Sequence, residues 1–290
     1  MIVIDIIISG LILGGMYAMV AMGLTLQYGV SRIMNLAYGE ILVAGAFAAY
    51  WLYAAHAISP LIGLIIIVPL AFAVNWLIYT VLLTPLVRRA KNREVLEGDS
   101  ILFTFGLLFV LQGIGLAVFG SQYYSAGYLR FPVDVLGLAV PANRLVAAIV
   151  AVIIGGALYF SLTRTRMGMA VRAVAVDPRA ARLVAIDVNR LSALAFAAGG
   201  ALCAAAGALV AMFQTFSVSG GVVFTMKALV IVIMGGVGNL GGTLVAALIL
   251  GMTEVIVGRL IDPGLTLAAN FVIFLAILLV RPAGIFGRAA

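Results

Sequence analysis

The chain has 290 residues, 65% of them hydrophobic and 9% charged, with a formal net charge of +7 and a mean hydropathy of +1.27. Such a composition excludes a soluble globular domain, because most of the chain must be solvated by lipid or by other apolar helices. One cysteine, Cys203 in an Ala-rich run, excludes a disulfide framework and reads as a buried thiol; one histidine, His56, excludes a His-based metal site.

The N-terminal stretch MIVIDIIISG has no basic region and carries Asp5, so it reads as part of a span and not as a cleavable leader. A spanning helix needs roughly 20 apolar residues to cross a hydrocarbon core about 30 Å thick. Apolar segments of that size occur at 5–28, 36–57, 61–84, 100–119, 144–162, 191–215, 240–257 and 265–281. A further segment, VVFTMKALVIVIM at 222–234, reaches only about 20 Å as a helix. It is expected to be a half-helix, a re-entrant segment or a tilted fragment buried in protein. No run of alternating strands is visible, so the expected fold class is all-α: a polytopic membrane bundle of eight spans plus one short broken helix, forming a single transmembrane domain over 1–290. Gly10/Gly14 and Ala201/Ala205 recur at four-residue spacing, which lets helix backbones approach closely.

Basic residues set the orientation. The loop at 85–99 carries Arg88, Arg89, Lys91 and Arg93, and the loop at 163–190 carries six arginines, whereas 58–60 and 216–221 carry none. Both basic loops are expected in the cytoplasm, and counting spans back from them puts the N-terminus outside and Arg32 inside. The tail, with Arg281 and Arg288, prefers the cytoplasm as well, which requires 222–234 to count as a crossing. Parity leaves that point open, and a cytoplasmic tail is the expectation.

The stretch TRTRMGMAVRAVAVDPRAARLVAIDVNR at 163–190 holds six of the 17 Lys and Arg residues and carries helix punctuation as well as charge. Asp177 suits an N-cap and Pro178 the first position of a short helix, PRAARLV. Before it, RMGMAVRA presents Met167, Met169 and Val171 beside Arg166 and Arg172. Two short helices joined at an Asp-Pro turn make a compact knob that suits a groove on a partner protein; the alternative is a loop lying on anionic headgroups.

The run TRMGMAVRAVAVDPRAARLVAIDVNRLSALAF resembles the cytoplasmic coupling loop of permeases in bacterial ABC importers for branched-chain amino acids, specifically their H-type subunit. The segments GLTLQYGVSRIMNLAYGEILVAGAF and GGVGNLGGTLVAALILG resemble two further signatures of the same family, and the three blocks cover about 75 of the 290 residues. Ala185 stands where that family more often has Gly before Ile, which implies a slightly more helical loop, and Tyr38 stands at a position commonly occupied by His. The resemblance implies a type II ABC importer-like permease in the bacterial inner membrane that carries no catalytic groups and no cofactor of its own. Its implied partners are a second permease subunit, a heterodimer being favoured, two cytoplasmic ATPase subunits that use ATP, and an extracytoplasmic substrate-binding protein; nucleic acid is not among them. The coupling loop would comprise Arg164, Arg166, Gly168, Arg172, Asp177, Pro178, Arg179 and Arg182, with the arginines making charge-assisted contacts and Gly168 permitting close backbone approach. The substrate reading is branched-chain amino-acid import, the alternatives being urea, amides or other small solutes.

No G-x-x-x-x-G-K-[ST] segment is present, so ATP chemistry is not expected in this chain. GGVGNLG at 235–241 contains G-x-G-x-x-G after a β-branched run, but a dinucleotide site needs a strand before it and a soluble βαβ unit around it. A helix break at membrane depth is the better account. It makes Gly236, Gly238 and Asn239 candidates for the substrate path, the alternative being a turn with Asn239 in a left-handed conformation. Glu40 is the most informative charge, either pairing with Arg32 or facing the path with Gln27, Asn35 and Tyr38. Lys227 and Glu254 raise the same choice and are able to meet each other. Asn75, Gln112, Gln214 and Asn270 read equally as interhelical hydrogen bonds or path-lining groups. Tyr123, Tyr124 and Tyr128, in the outer loop 120–144, suit an interfacial belt or a docking face for the binding protein. An ion-coupled secondary transporter would need more embedded carboxylates, and an embedded enzyme would need a cluster of catalytic groups that the ten acids and one histidine do not form.

Overall fold

The computed structural model describes residues 2–90, 92–135 and 137–287, with Arg93 described by its backbone alone. Lys91, the Arg93 side chain and Arg288, all counted above as basic, lie outside the described residues. The chain forms α1 (Ile2–Ser31), α2 (Tyr38–His56), α3 (Pro60–Leu77), a π-helical turn (Ile78–Leu83), α4 (Thr84–Arg89) and α5 (Arg93–Phe119). Then follow a hairpin of β1 (Pro132–Val135) and β2 (Leu138–Pro141), and α6 (Ala142–Arg164), α7 (Arg166–Val176), α8 (Pro178–Leu183) and α9 (Val188–Val210). The last elements are α10 (Gly221–Gly235), α11 (Leu240–Leu260) and α12 (Thr266–Val280).

Among the described residues eight helices are long and apolar enough to cross a membrane, but they differ in one member from the eight expected. The segment at 36–57 folds as the 19-residue α2 and falls short in hydropathy, lowered by Tyr38, Gly39, Glu40 and His56. In its place stands Val218–Gly235, where a 3-10 turn extends the short α10 to 18 residues. The spans are helical, as expected for an all-α bundle; outside them the 120–144 loop adds a two-stranded antiparallel hairpin, with Pro132 opposite Pro141 and Val135 opposite Leu138.

The Ala- and Gly-rich α9 is the central post: 83% of its membrane window is buried, against 6% for α12. Small side chains permit this, since a Cβ on Gly207 would come within 2.8 Å of the Leu42 carbonyl carbon of α2. On the other side of the core a Cβ on Gly14 would meet the Leu248 backbone of α11 at 2.9 Å, so the Gly10/Gly14 spacing serves the α1–α11 seam. Cys203 is buried, its thiol donating to Tyr38 O at 3.1 Å. The long helix that begins at Pro60 contains Pro85, whose missing N–H is absorbed by the π-helical turn: Thr84 N and Oγ1 both reach back five residues to Tyr79 O.

Between α1 and α2 the chain is not helical. Residues 32–37 run back into the bundle, and Tyr38 OH reaches Val20 O at 2.8 Å and Gly199 O at 3.2 Å, near the midpoint of α9. Backbone groups at such depth need partners from the protein itself. Side chains supply them: Met34 N donates to Ser100 Oγ, Leu36 N to Thr104 Oγ1, Ala37 N to Asn35 Oδ1 and Gly39 N to Thr225 Oγ1. In the other direction Thr104 Oγ1 donates to Met34 O at 2.9 Å and Thr225 Oγ1 to Leu36 O at 3.3 Å.

Candidate coupling surface and intramembrane polar sites

The loop between α6 and α9 is built as two short helices. Thr165 caps α7, accepting from Gly168 N at 3.0 Å, and Asp177 Oδ1 caps α8, accepting from Arg179 N at 2.8 Å and Ala180 N at 3.1 Å, with Pro178 at the first helical position. The knob is fastened to the bundle by Val174 and Ala181, both buried in a cluster with Leu26 and Val30 of α1, Leu162 of α6 and Leu191 of α9. Arg32, at the end of α1 with φ 57°, adds a strut: its Nη2 donates to Ala175 O at 2.5 Å. The expected Arg32–Glu40 pair is therefore not formed. Gly168 does give a close backbone approach, but toward α6, where a Cβ would stand 2.5 Å from the Leu162 carbonyl carbon.

What the knob leaves outside is mixed apolar and basic. Met167 and Met169 are half exposed, Val176 and Val184 more so, and Leu183 is 89% exposed. A groove of about 590 Å³ runs between α7 and α8, lined by Met169, Arg172, Val176, Ala180 and Val184 among others. Arg172 Nη2 leans back on Thr163 O at 3.4 Å. Arg164, Arg166, Arg179 and Arg182 are exposed, and their guanidinium groups make no hydrogen bond or ion pair with the described residues. The loop is not more helical at Ala185: that residue has φ 60°, a left-handed turn that glycine occupies without a steric penalty.

The glycine break at 235–239 connects two helices, since the run before it is α10 and not a strand; this disposes of the dinucleotide reading. Gly236 (φ 99°) and Gly238 (φ 81°) take the left-handed positions. Asn239, contrary to the turn expectation, is extended (φ −101°) and caps α11, its Oδ1 accepting from Gly242 N and its Nδ2 donating to Phe286 O at 3.0 Å. Ile285 N and Phe286 N bond to Met234 O and Gly235 O, so the tail covers the break. Gly238 lies against Gly29 of α1, which puts break and tail on the same face of the bundle as the α7–α8 knob.

Gln27, Asn35 and Tyr38 are buried and occupied by packing bonds: Gln27 Nε2 donates to Phe196 O at 2.7 Å and Asn35 Nδ2 to Gln27 Oε1 at 3.3 Å. Lys227 and Glu254 do meet, at 2.8 and 2.9 Å, and Tyr17 OH and Asn270 Nδ2 also donate to Glu254 Oε2, at 3.0 and 3.2 Å. Glu254 and Gln214 also line a cavity of about 370 Å³ on the hairpin face, with Tyr17, Arg144 and Arg259. Glu40 is 4% exposed and its Oε1 has no hydrogen-bond partner. Asn75 Nδ2 bonds within α3, and Gln112 is half-buried on α5. Tyr124 and Tyr128 pack on Phe47, Tyr50 and Tyr53 of α2, leaving only Tyr123 of the three fully open. Sequence reading missed Ser100, Thr104 and Thr225, whose only signal was a hydroxyl inside an apolar run.

A multi-pass helical bundle with an exposed basic knob on one face and a broken, polar-lined interior has the architecture of a membrane transport subunit. Comparison with known proteins makes this specific. The profile of the family described as branched-chain amino acid transport system / permease component matches residues 6–281. Over 97% of its length the chain is 28% identical to the high-affinity branched-chain amino acid transport system permease protein LivH of Salmonella typhimurium, covering 94% of that protein. It is 26% identical over 97% to BraD of Pseudomonas aeruginosa, covering 95% of it, and 24% identical over 96% to a probable LivH of Methanocaldococcus jannaschii, covering 91%. No solved structure matches the chain. The chain belongs to this permease family: it is a multi-pass inner-membrane transport subunit of an ABC importer that works with ATPase and substrate-binding partners.

Proposed function

We propose that the chain forms one half of the path by which branched-chain amino acids enter the cell, and that its α7–α8 knob is where a separate ATPase seats. The observation that carries the coupling role is the knob's surface. The Arg179 and Arg182 guanidinium groups have no partner among the described residues and stand on the same short helix as Leu183, 89% exposed, while the underside is locked into α1, α6 and α9. An exposed apolar and cationic patch on a rigid base suits a groove with acidic walls, and force applied there reaches three membrane helices directly. The substrate class rests on the names of the relatives, which are branched-chain amino acid permeases.

In this reading the whole chain acts as one permease domain with its N-terminus outside and its tail in the cytoplasm, beside the knob. The second permease subunit is a different chain. Gln27, Asn35 and Tyr38 hold the wall of the path behind Glu40, and Gly236, Gly238 and Asn239 form the break at its cytoplasmic end. Reconstitution in liposomes with the second permease, two ATPases and the binding protein tests the assignment. ATP-dependent uptake of leucine supports it; uptake of urea or a sugar in place of leucine, or leucine uptake without the ATPases, contradicts it.

A further inference from the structure

Two helices start inside the bundle instead of at its faces, and their N-termini meet. Tyr38 begins α2 at the depth of Gly199, the middle of α9. Gly39 N donates to Thr225 Oγ1 of α10 at 2.8 Å, and a Cβ on Gly39 would lie 2.7 Å from the Gly221 carbonyl carbon. Glu40, in the first turn of α2, lays its carboxylate over Gly221, the first residue of α10; a Cβ there would stand 2.5 Å from Glu40 Cδ and 2.8 Å from Oε2.

That carboxylate has no counter-charge. Lys227 is held by Glu254, Arg259 by Asp5 and the Arg32 guanidinium by Ala175 O, and among the described residues no cationic side chain engages Glu40. The α10 N-terminus offsets part of the cost of burying the charge, but an ionised carboxylate in a membrane interior persists when it is paired or faces a polar path.

The surface beside it shows which face that path takes. Ala44, Trp51 and Ala55 follow Glu40 along one side of α2 and are exposed, as are Val223 and Met226 of α10. Glu40 lies just beneath this apolar strip, 4% exposed, so the second permease subunit proposed above, seated on the strip, would turn it into a path wall with the carboxylate behind it.

We propose that Glu40 receives the primary ammonium group of a small aliphatic amino acid in transit, with the substrate's side chain lying along Ala44 and Met226. This rests on the import reading above. It makes the permease selective for an amine in its own right, and a shift of the α10 N-terminus away from α2 is what uncovers Oε1.

The test uses the assembled complex in liposomes with dicyclohexylcarbodiimide, which modifies intramembrane carboxyls, and maps the label to Glu40 by peptide mass. Leucine is expected to abolish labelling of Glu40, whereas 4-methylpentanoate, the same skeleton without the amine, and sodium chloride at equal concentration leave it unchanged. Glu40→Gln is expected to lose leucine uptake with complex assembly retained, and Glu40→Asp to restore part of it. Failure of leucine to protect, equal protection by 4-methylpentanoate or sodium, or wild-type uptake in Glu40→Gln each overturns the proposal. Absence of leucine uptake by the wild-type complex would instead overturn the import reading.

Discussion

Leu183→Ala separates a docking role from a structural one. The side chain is 89% exposed in the chain alone, so its truncation leaves the fold untouched, within about 0.5 kcal/mol. If the ATPase buries it, three carbon groups are lost at about 0.8 kcal/mol each, roughly 2 kcal/mol after allowing for the small part already covered. At 1.4 kcal/mol per tenfold that is a drop in affinity of about 30-fold. The assay is titration of detergent-solubilised permease with the purified ATPase, with thermal unfolding of the permease alone as the control. Unchanged affinity with an unchanged unfolding temperature refutes the placement of the ATPase on α8; a lowered unfolding temperature refutes the claim that Leu183 does nothing for the free chain.

Ala185→Gly relieves a left-handed residue, an effect of about 1–2 kcal/mol set against about 0.5–1 kcal/mol of added unfolded-state entropy, and is expected to slow amide exchange around residues 185–186. Lys227→Met strands the Glu254 carboxylate and is expected to cost about 3–5 kcal/mol in detergent unfolding, most of it recovered in the Lys227→Met, Glu254→Met double variant. Equal stability of the single and double variants would show that the pair is not the mutual neutralisation seen at 2.8 Å. Thr104→Val removes the acceptor of Leu36 N and the donor to Met34 O, and should destabilise the 32–37 stretch by about 1–3 kcal/mol, read as faster exchange at Leu36.

What was legible in the sequence is what local chemistry dictates. Asp177 and Pro178 announce the start of α8 because capping needs only neighbouring residues, and Gly10 and Gly14 announce a close helix contact because their spacing puts both on one face. The start of α2 at Tyr38 lies close to the span expected at 36–57, but its depth inside the bundle was not legible, because the non-helical 32–37 stretch is stabilised by Ser100, Thr104 and Thr225, up to 189 residues away. A separation of 143 residues likewise hid the fate of Arg32, which looked like a partner for the nearby Glu40 but reaches Ala175 O of α7. Ala185 misled for the opposite reason. Alanine favours helix on its own, but the hydrogen bond from Ile186 N to Ala181 O, closing α8, requires a left-handed residue between them.

The account stands on the α7–α8 knob passing work from a separate motor to helices with no energy source of their own. Because the Arg179 and Arg182 guanidinium groups make no hydrogen bond or ion pair with the described residues, Arg179→Glu with Arg182→Glu reverses the knob's charge without breaking a polar contact within it, and ATP-driven leucine uptake in liposomes is the direct measurement. Loss of both uptake and ATPase attachment, with normal membrane insertion, is the predicted result; wild-type uptake with the ATPase still bound contradicts it.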